Sequence, residues 1–168
     1  MRIPFIFLAF FACFSTFAQK DPSAKAILDQ MGAKVKDSKG ILVSIQMVSK
    51  NSQGKALGTK QISLKMKADK YYLKQGLMEI LCDGAIIYNF DGVNTISKSS
   101  VEEADQTLSP QKLLAGNYDK DFNYSLLGQT ASNATIELIP LDKRKSFQKV
   151  TLVIDKIKTA LSSASILV

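Results

Sequence analysis

The sequence predicts an α+β protein whose strands form an open (unclosed) antiparallel β-barrel, or a strongly curved sheet, with a helical lid. About ten short segments alternate apolar and polar residues, and turn dipeptides that contain glycine separate several of them. Two other segments have the apolar spacing and the end residues of helices. A sheet with a polar outer face and an apolar inner face needs a cover, and the two helices are the available candidates.

The first 18 residues have the layout of a cleavable signal peptide. Arg2 precedes a short apolar run, and Thr16 and Ala18 stand at the −3 and −1 positions of a cut after Ala18. An uncleaved anchor is one alternative, although a membrane span needs roughly 20 apolar residues. A lipoprotein signal lipidated at Cys13 is another. We therefore expect export to the periplasm and a single domain over residues 19–168.

The first predicted helix covers residues 22–37. Asp21 is a favourable N-cap, and Pro22 suits the first helical position. Apolar residues then recur at spacings of three and four, and Gly40 can end the helix. The positions expected to face the sheet as a lid include Ile27, Leu28 and Met31.

From residue 41 the apolar period changes to two, which is typical of half-buried strands. The turn dipeptides Gln75-Gly76, Asp83-Gly84 and Asp91-Gly92 predict consecutive antiparallel hairpins. The predicted strands lie near 41–47, 62–66, 70–75, 77–82, 85–90, 93–98, 122–128, 134–139, 147–155 and 160–168.

A second, shorter helix is predicted over residues 109–115. Its sequence, SPQKLLAG, begins with a serine cap and a proline and ends at a glycine. Leu113 and Leu114 are its apolar residues, and we expect them to complete the lid.

The residue types of the chain disfavour an enzyme. Histidine is absent, which removes the commonest general base and the commonest metal ligand. Asp83 and Asp91 leave a carboxylate-dependent hydrolase as an alternative, although their turn context favours a role in hairpins. The acidic group Glu102, Glu103 and Asp105 is interpreted as a solvated loop, with a weak calcium site as the alternative. We expect no catalysis, no cofactor and no metal.

The formal net charge of +7 comes from lysines scattered along the strands. Many alternate with apolar residues, as Lys65 and Lys67 do, which predicts that they lie on the solvent-facing side of the sheet. Attraction to anionic membranes or acidic partners is a second interpretation. Because the chain has no basic–aromatic motif, nucleic acid is not an expected partner. Cleavage after Ala18 would leave Cys82 as a lone cysteine, which we expect to be buried.

The apolar residues of the strands could line a cavity or fill an ordinary packed core, because periodicity is the same in both cases. Repeated methionines suit a cavity that accepts varied acyl chains. The residues predicted to point inward are Met47, Ile62, Leu64, Met66, Tyr71, Leu73, Met78, Ile80, Tyr88 and Phe90.

Four longer motifs follow the first helix and strand pair in a characteristic order. They are KMKADKYYLK, ILCDGAIIYNF, SPQKLLAG and IELIPLDKRKSFQKVTLVID. In this order and spacing, over residues 22–158, the chain resembles the LolA family of outer-membrane lipoprotein carriers.

The resemblance implies an unclosed barrel with a helical lid, whose hydrophobic cavity holds the acyl chains of lipoproteins. It implies a monomeric periplasmic carrier that takes acylated lipoproteins from an inner-membrane release complex to an outer-membrane acceptor, with transient membrane contact and no covalent chemistry.

The chain departs from the family pattern in two places. The family's Arg-Pro pair, whose arginine bonds to the lid, falls at Lys67-Ala68, so Lys67 is the expected lid-latch position. Lysine keeps the charge but lacks the planar guanidinium fork. The family pattern also continues with at least one more strand pair and a C-terminal element beyond the last residues of this sequence, so we expect those strands to be missing from the domain over residues 19–168. These departures keep open an alternative function, that of a lipid-sensing or envelope-regulatory interaction module on the same fold.

Overall fold

The computed structural model of the protein describes residues 20–50, 55–106, 108–116 and 118–167. The predicted signal peptide and Cys13 lie outside these residues. The elements in chain order are α1 (Pro22–Asp37), β1 (Ile41–Lys50), β2 (Ala56–Lys67), β3 (Lys70–Gln75), β4 (Met78–Cys82), β5 (Ile86–Phe90), β6 (Ile96–Ser100), a 3₁₀ turn (Glu103–Gln106), α2 (Pro110–Ala115), α3 (Tyr118–Asp121), β7 (Phe122–Gln129), β8 (Asn133–Pro140), β9 (Lys149–Asp155) and β10 (Ala160–Leu167). None of the described helices combines the length and the apolar character that crossing a membrane requires.

The strands form two antiparallel sheets. Strands β1 to β6 pair in sequence order as a six-stranded meander, and β7 to β10 form a four-stranded sheet in the order β10-β9-β8-β7. No pairing among the described strands closes either sheet into a barrel. The prediction of an α+β fold with an unclosed antiparallel sheet is confirmed. The 3₁₀ turn, α2 and α3 lie between β6, the last strand of the first sheet, and β7, the first strand of the second.

Helix α1 begins at Asp21, which also connects the helix to the four-stranded sheet. Its carboxylate accepts hydrogen bonds from the backbone N–H of Ser23 at 2.8 Å and from that of Leu126, on β7, at 3.1 Å. The backbone N–H of Asp21 donates to the carbonyl oxygen of Tyr124 at 3.1 Å. The predicted N-cap is therefore confirmed, and the same side chain fixes the start of the helix against β7.

The first hydrophobic cluster lies between α1 and the four-stranded sheet. Ala24, Leu28 and Met31 of α1 are fully buried there against strands β7, β8 and β9. The other buried members of this cluster are Tyr118, Phe122, Tyr124, Ile136, Leu138, Phe147, Val150, Leu152 and Ile154.

The second hydrophobic cluster lies on one face of the six-stranded sheet. Its buried members are Leu64, Met66, Tyr71, Cys82 and, from α2, Leu114. Cys82 is 1% exposed, as the sequence predicts for a small buried thiol, and its Sγ donates to the carbonyl oxygen of Asp69 at 3.6 Å.

Candidate functional site

Cross-strand pairs define an apolar inner face on the six-stranded sheet. Directly paired residues project to the same side of a sheet, so the register assigns every residue to a face. Met66 pairs with Ile41 and with Tyr71, and Tyr71 pairs with Cys82. The apolar inner-face residues of β1 to β4 are Ile41, Val43, Ile45, Met47, Ile62, Leu64, Met66, Tyr71, Leu73, Met78, Ile80 and Cys82.

The inner face is covered at one end and only partly covered at the other. Val35, Leu114, Val101 and Leu161 pack against the cluster around Met66, which is itself buried. Further along the same strands, the side chains of the open end are partly buried or exposed. They are Ile45, Met47, Leu73, Met78 and Ile80. Met47 is the most accessible of them, with 44% of its surface exposed. An apolar surface of this kind can receive an apolar ligand without unfolding the core.

The register places most of the predicted cavity residues on this inner face. Met47, Ile62, Leu64, Met66, Tyr71, Leu73, Met78 and Ile80 all lie there. Ile45 and Ile87, which the predicted set omits, lie on the same face; alternation along β1 could have revealed Ile45. Contact between these residues and an acyl chain stays a prediction.

Tyr88 and Phe90 lie on the opposite, outer face, contrary to the sequence-based assignment. Cys82, at the end of β4, pairs with Ile87, so Ile87 occupies the inner position on β5 and Tyr88 projects outward. The Nζ of Lys98 lies 5.3 Å from the centre of the Tyr88 ring, a distance at which the cation is attracted to the aromatic face.

The predicted lid residues of α1 do not cover the six-stranded sheet. Ile27, Leu28 and Met31 pack in the first cluster, against the four-stranded sheet, and so does Leu113 of α2. Of the predicted lid, Leu114 alone belongs to the second cluster. The apolar stripe of α1 was identified from its spacing, but spacing cannot tell which of two sheets a helix covers.

The expected latch position, Lys67, does not face the helices. It is exposed at the end of β2 and pairs with Lys70 on the outer side of the hairpin, because odd-numbered residues of β2 project outward. The hairpin instead contacts α2 through its turn. The side-chain amide Nε2 of Gln111 donates to Oδ1 of Asp69 at 2.8 Å.

The carboxylates considered for catalysis stabilise turns. Oδ1 of Asp83 accepts the backbone N–H groups of Ala85 and Ile86, both at 2.9 Å. Oδ1 of Asp91 accepts three backbone N–H groups, among them that of Val93 at 2.8 Å. These hydrogen bonds lower the pKa of both side chains, whereas a general acid needs a raised pKa.

Glu103, one of the acidic residues near the 3₁₀ turn, also has a structural role. Oε2 of Glu103 accepts the backbone N–H of Ser100 at 2.8 Å, and the hydroxyl of Ser100 accepts the backbone N–H of Glu103 at 3.1 Å. This reciprocal pair caps the turn. The side chain of Asp105 lies outside the described part. No group of three or more potential metal-binding side chains occurs within the residues that the structure describes.

A second apolar surface lies on the outer face of the six-stranded sheet. It is a groove of about 600 Å³, open to solvent, and its lining residues all come from β1 to β4 and the adjoining turns. The outward-facing side chains that line it are Leu42, Lys65, Lys67, Lys70, Tyr72, Leu81 and Asp83.

Comparisons with known proteins give a distant similarity to solved structures. The chain is similar to a LolA superfamily protein from Nitrosomonas europaea, with 16% identity and a TM-score of 0.42, over 85% of this chain and 70% of the other. It is also similar to an outer-membrane lipoprotein-sorting protein domain from Vibrio parahaemolyticus, with 12% identity and a TM-score of 0.40, over 83% of this chain and 69% of the other. No protein-family model matches the chain, and no curated protein matches it. At these values the function has to be inferred from the residues of this chain.

Proposed function

We propose that the protein is a non-catalytic periplasmic carrier that binds the acyl chains of lipoproteins on its inner face. In this role it takes them from an inner-membrane release complex to an outer-membrane acceptor. The observation that supports the proposal is the incompletely covered apolar surface beside the second cluster, around Ile45, Met47 and Ile80. The order of sequence motifs, which resembles that of the LolA family, points to the same cargo.

Binding and release place opposite demands on this surface. Each methylene of a lipid chain that leaves water contributes about 0.8 kcal/mol to binding, so even a partly covered chain is held firmly. Release then requires that protein groups compete for the same surface. Leu114 is suited to this, because it occupies the covered end of the inner face from a helix of six residues.

Movement of α2 would extend the binding surface. Lifting Leu114 would uncover Leu64, Met66 and Tyr71, which share its cluster. The open end would receive the first part of an acyl chain, and displacement of Leu114 would admit the rest. Return of Leu114 would favour release, so affinity would stay intermediate.

Met47 and Val48 provide a matched test of the proposal. They are adjacent, each is 44% exposed, and they project to opposite faces of β1. Purified protein would be mixed with a fluorescent tripalmitoylated lipopeptide, and binding measured by anisotropy. We expect Met47→Asp to weaken binding at least about tenfold, since a charge next to the chain must be desolvated, and Val48→Asp to bind like the wild type. Equal effects of the two substitutions, or no binding by the wild type, would refute the proposal.

A cellular measurement separates the carrier from an envelope-regulatory module. Depletion of a carrier leaves lipoproteins in the inner membrane, whereas loss of a regulatory module changes signalling while lipoproteins still reach the outer membrane. To distinguish the two roles, cells would be depleted of the wild-type protein and complemented with either the Met47→Asp or the Val48→Asp chain. Their membranes would then be fractionated to locate the lipoproteins. The carrier proposal requires that only the Val48→Asp chain restores sorting.

A further inference from the structure

The groove on the outer face combines an apolar surface with lysines. Register places Leu42, Lys65, Tyr72 and Leu81 in one row, because each pairs directly with the next across β1 to β4. Leu42 is 72% exposed and Leu81 is 48% exposed. Leu42 and Leu81 stand at the two ends of this row, on β1 and β4. The sheet is covered on its other side here, so these exposed leucines have no role in the core.

The lysines of the groove have no anionic partner in contact with them. No ion pair within 4.0 Å involves Lys65, Lys67 or Lys70 in the parts of the chain that the structure describes. The neighbouring pair on the same face behaves differently, since the Nζ of Lys74 lies 2.6 Å from Oε1 of Glu79. Three lysines therefore line the groove beside an apolar surface, against the single carboxylate of Asp83.

The acidic residue of the groove, Asp83, offsets only part of this charge, because it is one carboxylate against three lysines. Two backbone N–H groups of its own turn hold this carboxylate in place after β4. The positive charge of Lys70 contributes to lowering the pKa of Asp83, whereas Lys65 and Lys67 lie on β2, two strands away from β4. The groove keeps an excess of positive charge along the β2–β3 hairpin.

We propose that this groove is a second lipid site, which binds a single anionic amphiphile with an alkyl chain and a phosphate or carboxylate head. The alkyl chain lies on Leu42, Tyr72 and Leu81, and the head pairs with Lys65 and Lys67. A volume of about 600 Å³ falls within the usual range for small-ligand sites. The site is on the opposite side of the sheet from the inner face, so it is separate from the proposed cargo site.

The shape of the surface favours one lipid molecule over a flat membrane or an acidic protein. One alkyl chain can lie along the open groove against Tyr72, which is half-buried between the exposed side chains of Lys65 and Leu81. A planar bilayer would contact those exposed side chains first and leave Tyr72 uncovered. An acidic protein would neutralise the lysines without a reason for the exposed leucines at the two ends of the row. The ligand could come from free lysophospholipid or from a membrane, and the experiment distinguishes these two sources.

Methyl-resolved NMR on the whole mature protein tests the proposal. The probe is myristoyl lysophosphatidylglycerol below its critical micelle concentration, and its zwitterionic choline analogue is the control. Saturable shifts are expected at the methyls of Leu42 and Leu81, with those of Val48 as an unmoved reference on the same face. The double variant Lys65→Gln, Lys67→Gln should bind roughly tenfold more weakly, and the choline analogue should bind more weakly than the anionic lipid.

Inner-face residues make the outcome specific to the groove. Met47→Asp should leave the groove dissociation constant unchanged, so loss of the cargo site and loss of the groove site can be told apart. The proposal is overturned if only the methyls of Ile45 and Ile80 shift, or if the double variant binds normally. It is also overturned if the choline lipid binds equally well, or if phosphatidylglycerol vesicles bind while the monomeric lipid does not.

Discussion

The side-chain amide of Gln111 donates a 2.8 Å hydrogen bond to the carboxylate of Asp69, and this bond joins α2 to the turn between β2 and β3. The carbonyl oxygen of the same aspartate accepts the thiol of Cys82. Asp69 thus links the short helix that carries Leu114 to the sheet that Leu114 covers. This link places a polar contact where it can influence how α2 moves relative to the sheet.

Removing the amide should loosen α2 without unfolding the protein. A hydrogen bond at this partly exposed position stabilises the closed position of α2 by about 0.5–1.5 kcal/mol. Its loss corresponds to an increase of roughly 2- to 12-fold in the equilibrium constant for local opening of α2. Gln111→Ala should raise the hydrogen-exchange rate of the amides in α2 by that factor, with a small change in melting temperature. Lys67→Ala is the control, because Lys67 projects outward, and it should leave exchange in α2 unchanged. Identical exchange in both variants would mean that the Gln111–Asp69 hydrogen bond does not limit the opening of α2.

Truncating Leu28 should destabilise the whole protein, because this residue is fully buried in the first cluster. Removal of a buried leucine side chain costs about 2–5 kcal/mol. Urea unfolding followed by circular dichroism should show a lower midpoint for Leu28→Ala, and a smaller decrease for Ile27→Ala, since Ile27 is only partly buried. If Leu28→Ala instead kept its stability and bound acyl chains faster, α1 would be a mobile lid after all.

Gly92 should not tolerate a side chain. Its φ of +89° is unfavourable for other residues, and an added Cβ would lie 2.7 Å from the Cβ of Leu77, on the neighbouring hairpin. We expect Gly92→Ala to lower the free energy of unfolding by at least about 1 kcal/mol. Gly58→Ala is a suitable control, because an added Cβ there meets nothing within 4 Å. A melting temperature unchanged by both substitutions would show that the two hairpin tips are not in contact.

Asp21 should make stability depend on pH in the acid range. Hydrogen bonds from the backbone N–H groups of Leu126 and then Ser23 lower the pKa of its carboxyl below the ordinary value of 3.8. A lowered folded-state pKa means that the carboxylate stabilises the fold above pH 3.8, and that this contribution is lost as the pH falls through the folded-state pKa. Melting temperatures from pH 6 down to about pH 2 should therefore fall more steeply for the wild type than for Asp21→Asn. Parallel curves would exclude a contribution from this group.

The strand order could be predicted because local chemistry defines the turns. Asp83 and Asp91 hold their hairpins with side-chain oxygens, and those dipeptides are visible in the sequence. The start of α1 was predictable for the same reason, since Asp21 and Pro22 are local signals. The short helix α3, which follows α2 closely, has no comparable signal and was not predicted.

The arrangement of faces could not be predicted from local chemistry. Tyr88 has an apolar ring, and its outward direction depends on the pairing of Cys82 with Ile87 across the next turn. The apolar stripe of α1 packs against whichever sheet offers a matching surface. That surface is defined only once the strands of both sheets have paired. The contact between Gln111 and Asp69 joins residues far apart in the chain, so no spacing rule indicates it.

The buried thiol of Cys82 can be used to measure how often the packing around the second cluster opens. A sulfhydryl that is 1% exposed is shielded from oxidants and from other cysteines, so the folded chain can carry Cys82 without forming dimers cross-linked through it. An alkylating reagent can reach it only when α2 separates from the sheet or the sheet unfolds. The rate of alkylation therefore measures how often the interior opens, and cargo that wedges the helix away would speed the reaction.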